Sequence, residues 1–234
     1  MRSVEELVAI SCGSDSMEGI LAYPEKGVPA FGVMLLSPHP HMGGNMENNV
    51  IRHIARRAAE ACAATLRFNY RGVGQSSLRS EGGGNLYEYW ARVERDREYD
   101  RVLPDVLAAW DWFKRSLPKN VPRVLLGYSL GAVLAGMVAS RLDAVGIVSV
   151  SPPASRVPLR TLCSCKHPML ITVGDNDFAC EVQDVRSAIF DTPISLEVIT
   201  GADHFYRGLE NSLGDVLARY DWGRRIPVKE RLFP

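Results

Sequence analysis

Val124-Leu125-Leu126-Gly127-Tyr128-Ser129-Leu130-Gly131-Ala132-Val133-Leu134-Ala135 begins as an apolar run after the turn Pro122-Arg123, the length of a buried strand. It ends in small and aliphatic residues, Ala132 to Ala139, that read as a buried helix. Between them stands Gly127-x-Ser129-x-Gly131. A serine on a sharp strand-to-helix turn takes a strained backbone, and glycines two before and two after it let neighbouring chain approach without a Cβ clash. The hydroxyl is pushed away from the sheet, and the helix N-terminus beneath it aims N–H groups at any anion formed there. The functional reading makes Ser129 an activated nucleophile and Leu130 N–H an oxyanion donor. The plainer reading is a glycine-serine turn. The five-residue pattern alone does not separate the two, and the buried strand and small-residue helix on either side favour the nucleophile.

The chain around this stretch has 234 residues, of which 46% are apolar, enough for one domain with a sizeable core. Its 27 Lys and Arg balance 27 Asp and Glu, so no broad basic field calls for nucleic acid or an anionic membrane. Met1 to Ile10 carries Glu5 and Glu6 and no apolar run of signal length, and no stretch approaches the roughly 18 apolar residues of a membrane span. A cytoplasmic protein is the expectation. The five cysteines (Cys12, Cys62, Cys163, Cys165, Cys180) are scattered and odd in number, which fits free thiols better than a disulfide framework. Whether the chain forms a homodimer is left open.

Strand and helix alternate through most of the chain, which predicts an α/β fold with a mostly parallel sheet of eight strands flanked by helices. Val4–Ile10 and Met17–Tyr23 read as an antiparallel N-terminal hairpin at the sheet edge. Phe31–Leu36, Ala64–Asn69, the run into Tyr128, Val145–Val150, Met169–Val173 and Ser195–Ile199 read as the remaining strands. Helices are expected at Asn49–Ala63, Asp100–Leu117, Val182–Phe190 and Leu209–Tyr220. The segment from Ala154 to His167 is too short for a large cap domain. Leu78 to Tyr99 is irregular, with Gly82-Gly83-Gly84 before Tyr87, Tyr89 and Trp90 and a charge run from Arg92 to Asp100. It is either a solvated helix or a short lid at 78–99 whose aromatics cover a pocket.

The loops at the carboxyl ends of the strands carry the chemistry. Ser37-Pro38-His39-Pro40-His41-Met42-Gly43-Gly44-Asn45-Met46 follows a buried strand, the position where open α/β sheets place ligands. Pro40 has no N–H, so a second oxyanion donor would be the backbone of His41 or Met42. The alternatives are histidines that prop the turn, or a metal site at His39-x-His41 that lacks a third ligand. Gly72-x-Gly74 lacks the third glycine of a dinucleotide loop, and Cys163-x-Cys165-x-His167 matches no common zinc spacing. Gly174-Asp175-Asn176-Asp177-Phe178 and Gly201-Ala202-Asp203-His204-Phe205-Tyr206 end two further strands. Serine, acid and histidine therefore reach one sheet edge in the order Ser129, Asp, His204. A serine hydroxyl needs a base to take its proton, imidazole serves near neutral pH, and a carboxylate fixes its tautomer. The acid is Asp175 or Asp177, with Asp177 preferred; Asp203, next to the histidine, would have to fold back on its neighbour. Tyr128, Phe178 and Phe205 join Tyr87, Tyr89 and Trp90 as expected pocket residues.

With these motifs in place the chain resembles the α/β-hydrolase superfamily, and most of all its small, capless bacterial members of the serine-esterase and dienelactone-hydrolase-like kind. The resemblance rests on the His39–Met46 loop, the Leu66–Ser76 strand and turn, the Gly127–Gly131 elbow, the glycine-x-x-aspartate of Gly174 and Asp177, and the Gly201–Phe205 loop. It implies one α/β-hydrolase domain over residues 1–234. It also implies a serine hydrolase acting on an ester or thioester of a small to medium acyl group, with Asp177 as the acid and no metal or organic cofactor. Acyl transfer or cyclisation with the same three residues, and a non-catalytic ligand-binding relative, are the competing expectations.

Overall fold

Strict two-residue alternation along the central strands gives the sheet two apolar faces, and each collects its own helices. The computed structural model describes residues 2–81, 86–154, 159, 167 and 169–219. The strands are β1 (Ser3–Cys12), β2 (Asp15–Pro24), β3 (Phe31–Leu36), β4 (Ala63–Phe68), β5 (Arg123–Tyr128), β6 (Gly146–Val150), β7 (Met169–Gly174) and β8 (Ser195–Ile199). They form one eight-stranded sheet in the order β1-β2-β4-β3-β5-β6-β7-β8. β1 pairs antiparallel with β2 from Ser3–Pro24 to Cys12–Asp15, and β2 pairs antiparallel with β4; every later pairing is parallel. The hairpin is longer at both ends than the alternation predicted, because the turn left between Cys12 and Asp15 is only two residues long and lets pairing run to its base.

Helices among the described residues are α1 (Asn49–Glu60), α2 (Leu86–Arg95), α3 (Leu103–Ser116), α4 (Leu130–Val138), α5 (Val182–Ala188) and α6 (Glu210–Arg219). Val33, Leu35, Val124, Leu126, Val148 and Val150 point to one face, where α1 supplies Val50, Ile51 and Ile54 and α6 supplies Leu213. Met34, Leu36, Leu125, Ile147 and Ile171 point to the other, against Val106, Trp110 and Phe113 of α3 and Leu134 and Val138 of α4. Asn48 caps α1 by accepting from Val50 N–H and Ile51 N–H at 3.1 and 3.4 Å. The helix expected from Asp100 starts later, at Leu103, because Tyr99–Val102 takes a 3-10 turn and Pro104 suits the first turn of a helix. Tyr220 and most of the segment between Ala154 and His167, including Cys163 and Cys165, lie outside the described residues. Cys12, Cys62 and Cys180 are free thiols. No helix among the described residues is long and apolar enough to cross a membrane.

From β3 the chain crosses to β4 on one side and returns to β5 on the other. Loops leaving the carboxyl ends of β3 and β5 therefore diverge and open a crevice, the usual ligand position in such sheets. The turn after β4 is anchored by a buried ion pair. Arg71, in the turn after β4, donates from Nε to Asp105 Oδ1 at 2.6 Å and from its backbone N–H to Asp105 Oδ2 at 2.7 Å. The Arg71 guanidinium also reaches Ser80 Oγ and the Arg101 carbonyl, both at 3.0 Å. Burial pushes the Asp105 carboxyl up to about 6, even with the Arg71 guanidinium pulling the other way. Breaking a buried pair of this type costs ~3–5 kcal/mol, so these contacts tie the β4 exit and the Arg101 turn to α3.

Candidate active site

Ser129 sits between β5 and α4 with φ 54° and ψ −115°, a positive-φ conformation that costs a non-glycine residue on the order of 1–3 kcal/mol. The surrounding packing holds it there. A Cβ on Gly127 would lie 2.1 Å from Gly131 O, and a Cβ on Gly131 would lie 2.1 Å from Leu36 O. Both glycines are thus required by close approach, the second because β3 passes directly beside the turn. Ser129 N–H donates to Val150 O at 2.9 Å, which ties the elbow to the end of β6. The side chain is turned out of the sheet at the N-terminus of α4, whose first N–H groups, Leu130 among them, have no intrahelical acceptor.

The loops after β7 and β8 deliver the other two side chains. His204 Nε2 lies 3.1 Å from Ser129 Oγ, and His204 Nδ1 lies 2.9 and 3.0 Å from the two Asp177 carboxylate oxygens. A carboxylate only accepts, so Nδ1 carries the proton and Nε2 is the acceptor for the Ser129 hydroxyl. Ser129, Asp177 and His204 are 6%, 6% and 2% exposed, which keeps bulk water away from these bonds. Asp177 Oδ1 also accepts from Ala179 N–H and Cys180 N–H at 2.9 and 3.2 Å. Burial first, then the nearby Asp177 charge, pushes the Cys180 thiol up to about 12, so it stays an inert neighbour. The Tyr128 hydroxyl donates to His204 O at 2.6 Å, linking the residue before the serine to the residue that faces it.

The other two aspartates have different work. Asp175 Oδ1 accepts from Gly201 N–H at 2.7 Å and braces the two loops against each other. Asp203 folds forward onto Phe205 N–H at 2.9 Å, away from the histidine ring.

The β3 loop differs from expectation. Pro40–Met42 forms a 3-10 turn capped by the side chain of His39. His41 N–H donates to His39 Nδ1 at 3.2 Å and Met42 N–H donates to His39 O at 2.8 Å. The His41 and Met42 amides, the two candidates for the second oxyanion donor, are thus both engaged within the loop, because proline at the first position nucleates a turn that takes up the next two amides. His39 and His41 act as props: their rings meet edge to face at 5.0 Å, and Trp90 stands edge-on to His39 at 5.5 Å. Among the described residues no group of three or more His, Cys, Asp or Glu side chains is placed to hold a metal ion.

A cleft of about 240 Å³ opens above Ser129 and His204. His39, His41, Met42, Glu94, Tyr99, Leu130, Val133, Pro153, Phe178 and Ala179 complete its lining. Of the expected pocket residues only Phe178 is in that set. Tyr128 is 2% exposed and supports the site from below. Tyr89 and Trp90 are 5% and 2% exposed and pack into the core, so they do not cover the cleft. Tyr87 is exposed and stacks on His41 with ring centroids 4.1 Å apart. Phe205 stands behind Phe178, at 5.9 Å, with the Arg207 guanidinium 4.9 Å over its ring. Glu94 and Tyr99 were missed because they sit in the Arg92–Asp100 charge run. The available signal was helical spacing: on α2, Tyr89, Trp90 and Val93 share the buried stripe, while Tyr87 and Glu94, seven apart, share another face.

An α/β sheet with a strained serine elbow and a serine–histidine–aspartate line at one edge defines an α/β serine hydrolase architecture. A family model described as an alpha/beta hydrolase domain matches residues 34–216, and the chain belongs to that family. An uncharacterized protein of Rickettsia prowazekii, RP471, is 28% identical over 185 residues, covering 74% of this chain and 71% of that one. An alpha-beta serine hydrolase homologue from Coxiella burnetii superposes with a TM-score of 0.77 at 26% identity, covering 92% of this chain and 96% of its own. XC6422 of Xanthomonas campestris, described as an a/b serine hydrolase without lid, superposes with a TM-score of 0.79 at 21% identity over 98% of this chain and 99% of its own, which speaks to the fold alone.

Proposed function

We propose that this protein is a serine hydrolase that cleaves esters or thioesters of small to medium acyl groups through an acyl-enzyme. The observation that carries the proposal is the 3.1 Å contact from Ser129 Oγ to His204 Nε2, with Asp177 on the opposite ring nitrogen. Ser129 Oγ attacks the acyl carbon while its proton passes to His204 Nε2. The carbonyl π-electrons move onto oxygen, where Leu130 N–H and the α4 N-terminus stabilise the charge; one such donor is worth ~3 kcal/mol in the transition state. The tetrahedral species collapses, the carbonyl re-forms, and the leaving oxygen or sulfur takes the proton from His204. Water then repeats the sequence: His204 removes its proton, the new C–O bond forms, and Ser129 recovers its hydroxyl as the acid leaves. Asp177 stays ionised and stabilises the imidazolium in both halves.

The volume of the cleft supports this acyl size. Its volume, about 240 Å³, lies just under the ~300–1,000 Å³ of sites for drug-sized ligands. Val133, Pro153 and Phe178 give it an apolar wall. Initial rates on p-nitrophenyl esters of graded chain length, with matched thioesters beside them, test the proposal. Short and medium chains should turn over and palmitate should be slow. Rates indistinguishable from buffer across the whole series would contradict it.

A further inference from the structure

Two tyrosines that take no part in the reaction bracket His204, and each sends its hydroxyl across to a different loop. Tyr128, the last residue of β5, donates from its hydroxyl to His204 O at 2.6 Å. Tyr206 follows His204 in the same loop, and its hydroxyl lies 2.7 Å from Ser151 Oγ, just past the end of β6. The two rings meet edge to face with centroids 6.3 Å apart. Tyr128, Tyr206 and Ser151 are all buried. Burial, before any other cause, pushes both tyrosine hydroxyls up, so they stay protonated.

These bonds close a circuit around the serine and the histidine. Ser129 N–H donates to Val150 O at 2.9 Å, and the next residue, Ser151, donates from its N–H to Thr172 O at 2.8 Å. From Ser129 the path runs to Val150 and Ser151, across the two hydroxyls to Tyr206, and back along the chain to His204. It returns through the Tyr128 hydroxyl to the residue before Ser129. His204 stands in a turn closed by Tyr206 N–H on Asp203 O at 3.2 Å. Backbone strain marks the same places. Ser129, Ser151 and Tyr206 have φ of 54°, 44° and 53°, values that bulky residues rarely take and that persist only where the surroundings enforce them. Leaving a buried hydroxyl or carbonyl unpaired is costly, so each link resists opening.

Resting on the hydrolase reading above, we infer that Tyr128, Ser151 and Tyr206 are positioning residues for the base: their circuit, rather than the Asp177 contact alone, sets the separation of Ser129 Oγ and His204 Nε2. Asp177 holds one ring nitrogen of His204, and Asp175 braces the base loop against the acid loop. The circuit ties the backbone that carries the ring to the elbow itself.

Kinetics on p-nitrophenyl butyrate test this with Tyr206→Phe, Ser151→Ala and the double variant. Each single change should lower kcat by about 10–100-fold, the scale of loss that a misplacement of about 1 Å brings, with KM within about 2-fold of wild type. The double variant should lose no more than either single one, because both changes open the same link. Ser151→Gly separates the hydroxyl from the backbone: glycine takes φ 44° without strain but has no hydroxyl, so its kcat should fall with that of Ser151→Ala. If Tyr206→Phe loses its fold by urea midpoint, the two Ser151 variants carry the comparison. Proton NMR gives a readout that needs no turnover. The low-field signal of His204 Nδ1–H should exchange with water at least about 5-fold faster in Ser151→Ala than in wild type. Wild-type kcat in Ser151→Ala or Ser151→Gly, additive losses in the double variant, or unchanged exchange would overturn the inference. No ester turnover by the wild type, beside faster exchange in Ser151→Ala, would sink the hydrolase reading and leave the circuit standing.

Discussion

Replacing Ser129 by alanine should lower turnover of an activated ester by on the order of 10⁶-fold, because in the proposed mechanism serine, histidine and aspartate act as a unit and removing the nucleophile removes nearly all that the unit contributes. A residue of ~10³–10⁴-fold over the uncatalysed rate remains from binding and from the oxyanion donor. The fold should not change. Alanine has the same Cβ as serine, so it meets the same strain at φ 54° and no new contact. Ser129 N–H keeps its bond to Val150 O. A urea midpoint near wild type, measured beside the rate, separates loss of the nucleophile from loss of structure. A drop of less than about 100-fold with the fold intact would mean that the hydroxyl is not the attacking group.

Replacing Asp177 by asparagine costs about 10⁴-fold in kcat with KM little changed, through the tautomer of His204 rather than through its position. The direction of the amide is set by the loop. Ala179 N–H and Cys180 N–H both donate to Oδ1, so the asparagine oxygen stays there. Its NH2 then takes the place of Oδ2, which is 3.0 Å from His204 Nδ1. A donor at that point favours an acceptor at Nδ1 and shifts the ring proton to Nε2, which faces Ser129. The ring stays in place and presents a proton to the hydroxyl it should deprotonate. Paired measurements of kcat and KM on one ester check this, and a kcat within about 10-fold of wild type would contradict it.

Sequence showed most of the frame because its signals are local. The buried runs, the alternation along β1 and β2, and the glycine spacing at the elbow each report a backbone state a few residues long. Ser129, Asp177 and His204 could be named because each closes a strand whose carboxyl end must lie at one edge of a parallel sheet. What was not visible depends on orientation. Tyr87, Tyr89 and Trp90 look like one aromatic cluster along the chain. On a helix each residue turns by 100°, so Tyr89 and Trp90 enter the core while Tyr87 reaches the cleft mouth. Glu94 follows Tyr87 onto the cleft side by the same geometry, hidden among charges that otherwise face solvent. The engagement of the His41 and Met42 amides within their own loop was hidden for a similar reason: a proline-led turn is readable in sequence, but which carbonyl or ring closes it is not.

The central claim is that Ser129 alone, among the serines of this chain, is an activated nucleophile. Labelling with a fluorophosphonate, followed by peptide mapping, tests it most directly. The expected result is one adduct per chain, on the peptide containing Gly127-Tyr128-Ser129-Leu130-Gly131, absent from Ser129→Ala and strongly slowed in Asp177→Asn. An unlabelled wild-type protein beside labelled control hydrolases in the same tube, or an adduct on a different serine, would contradict the account.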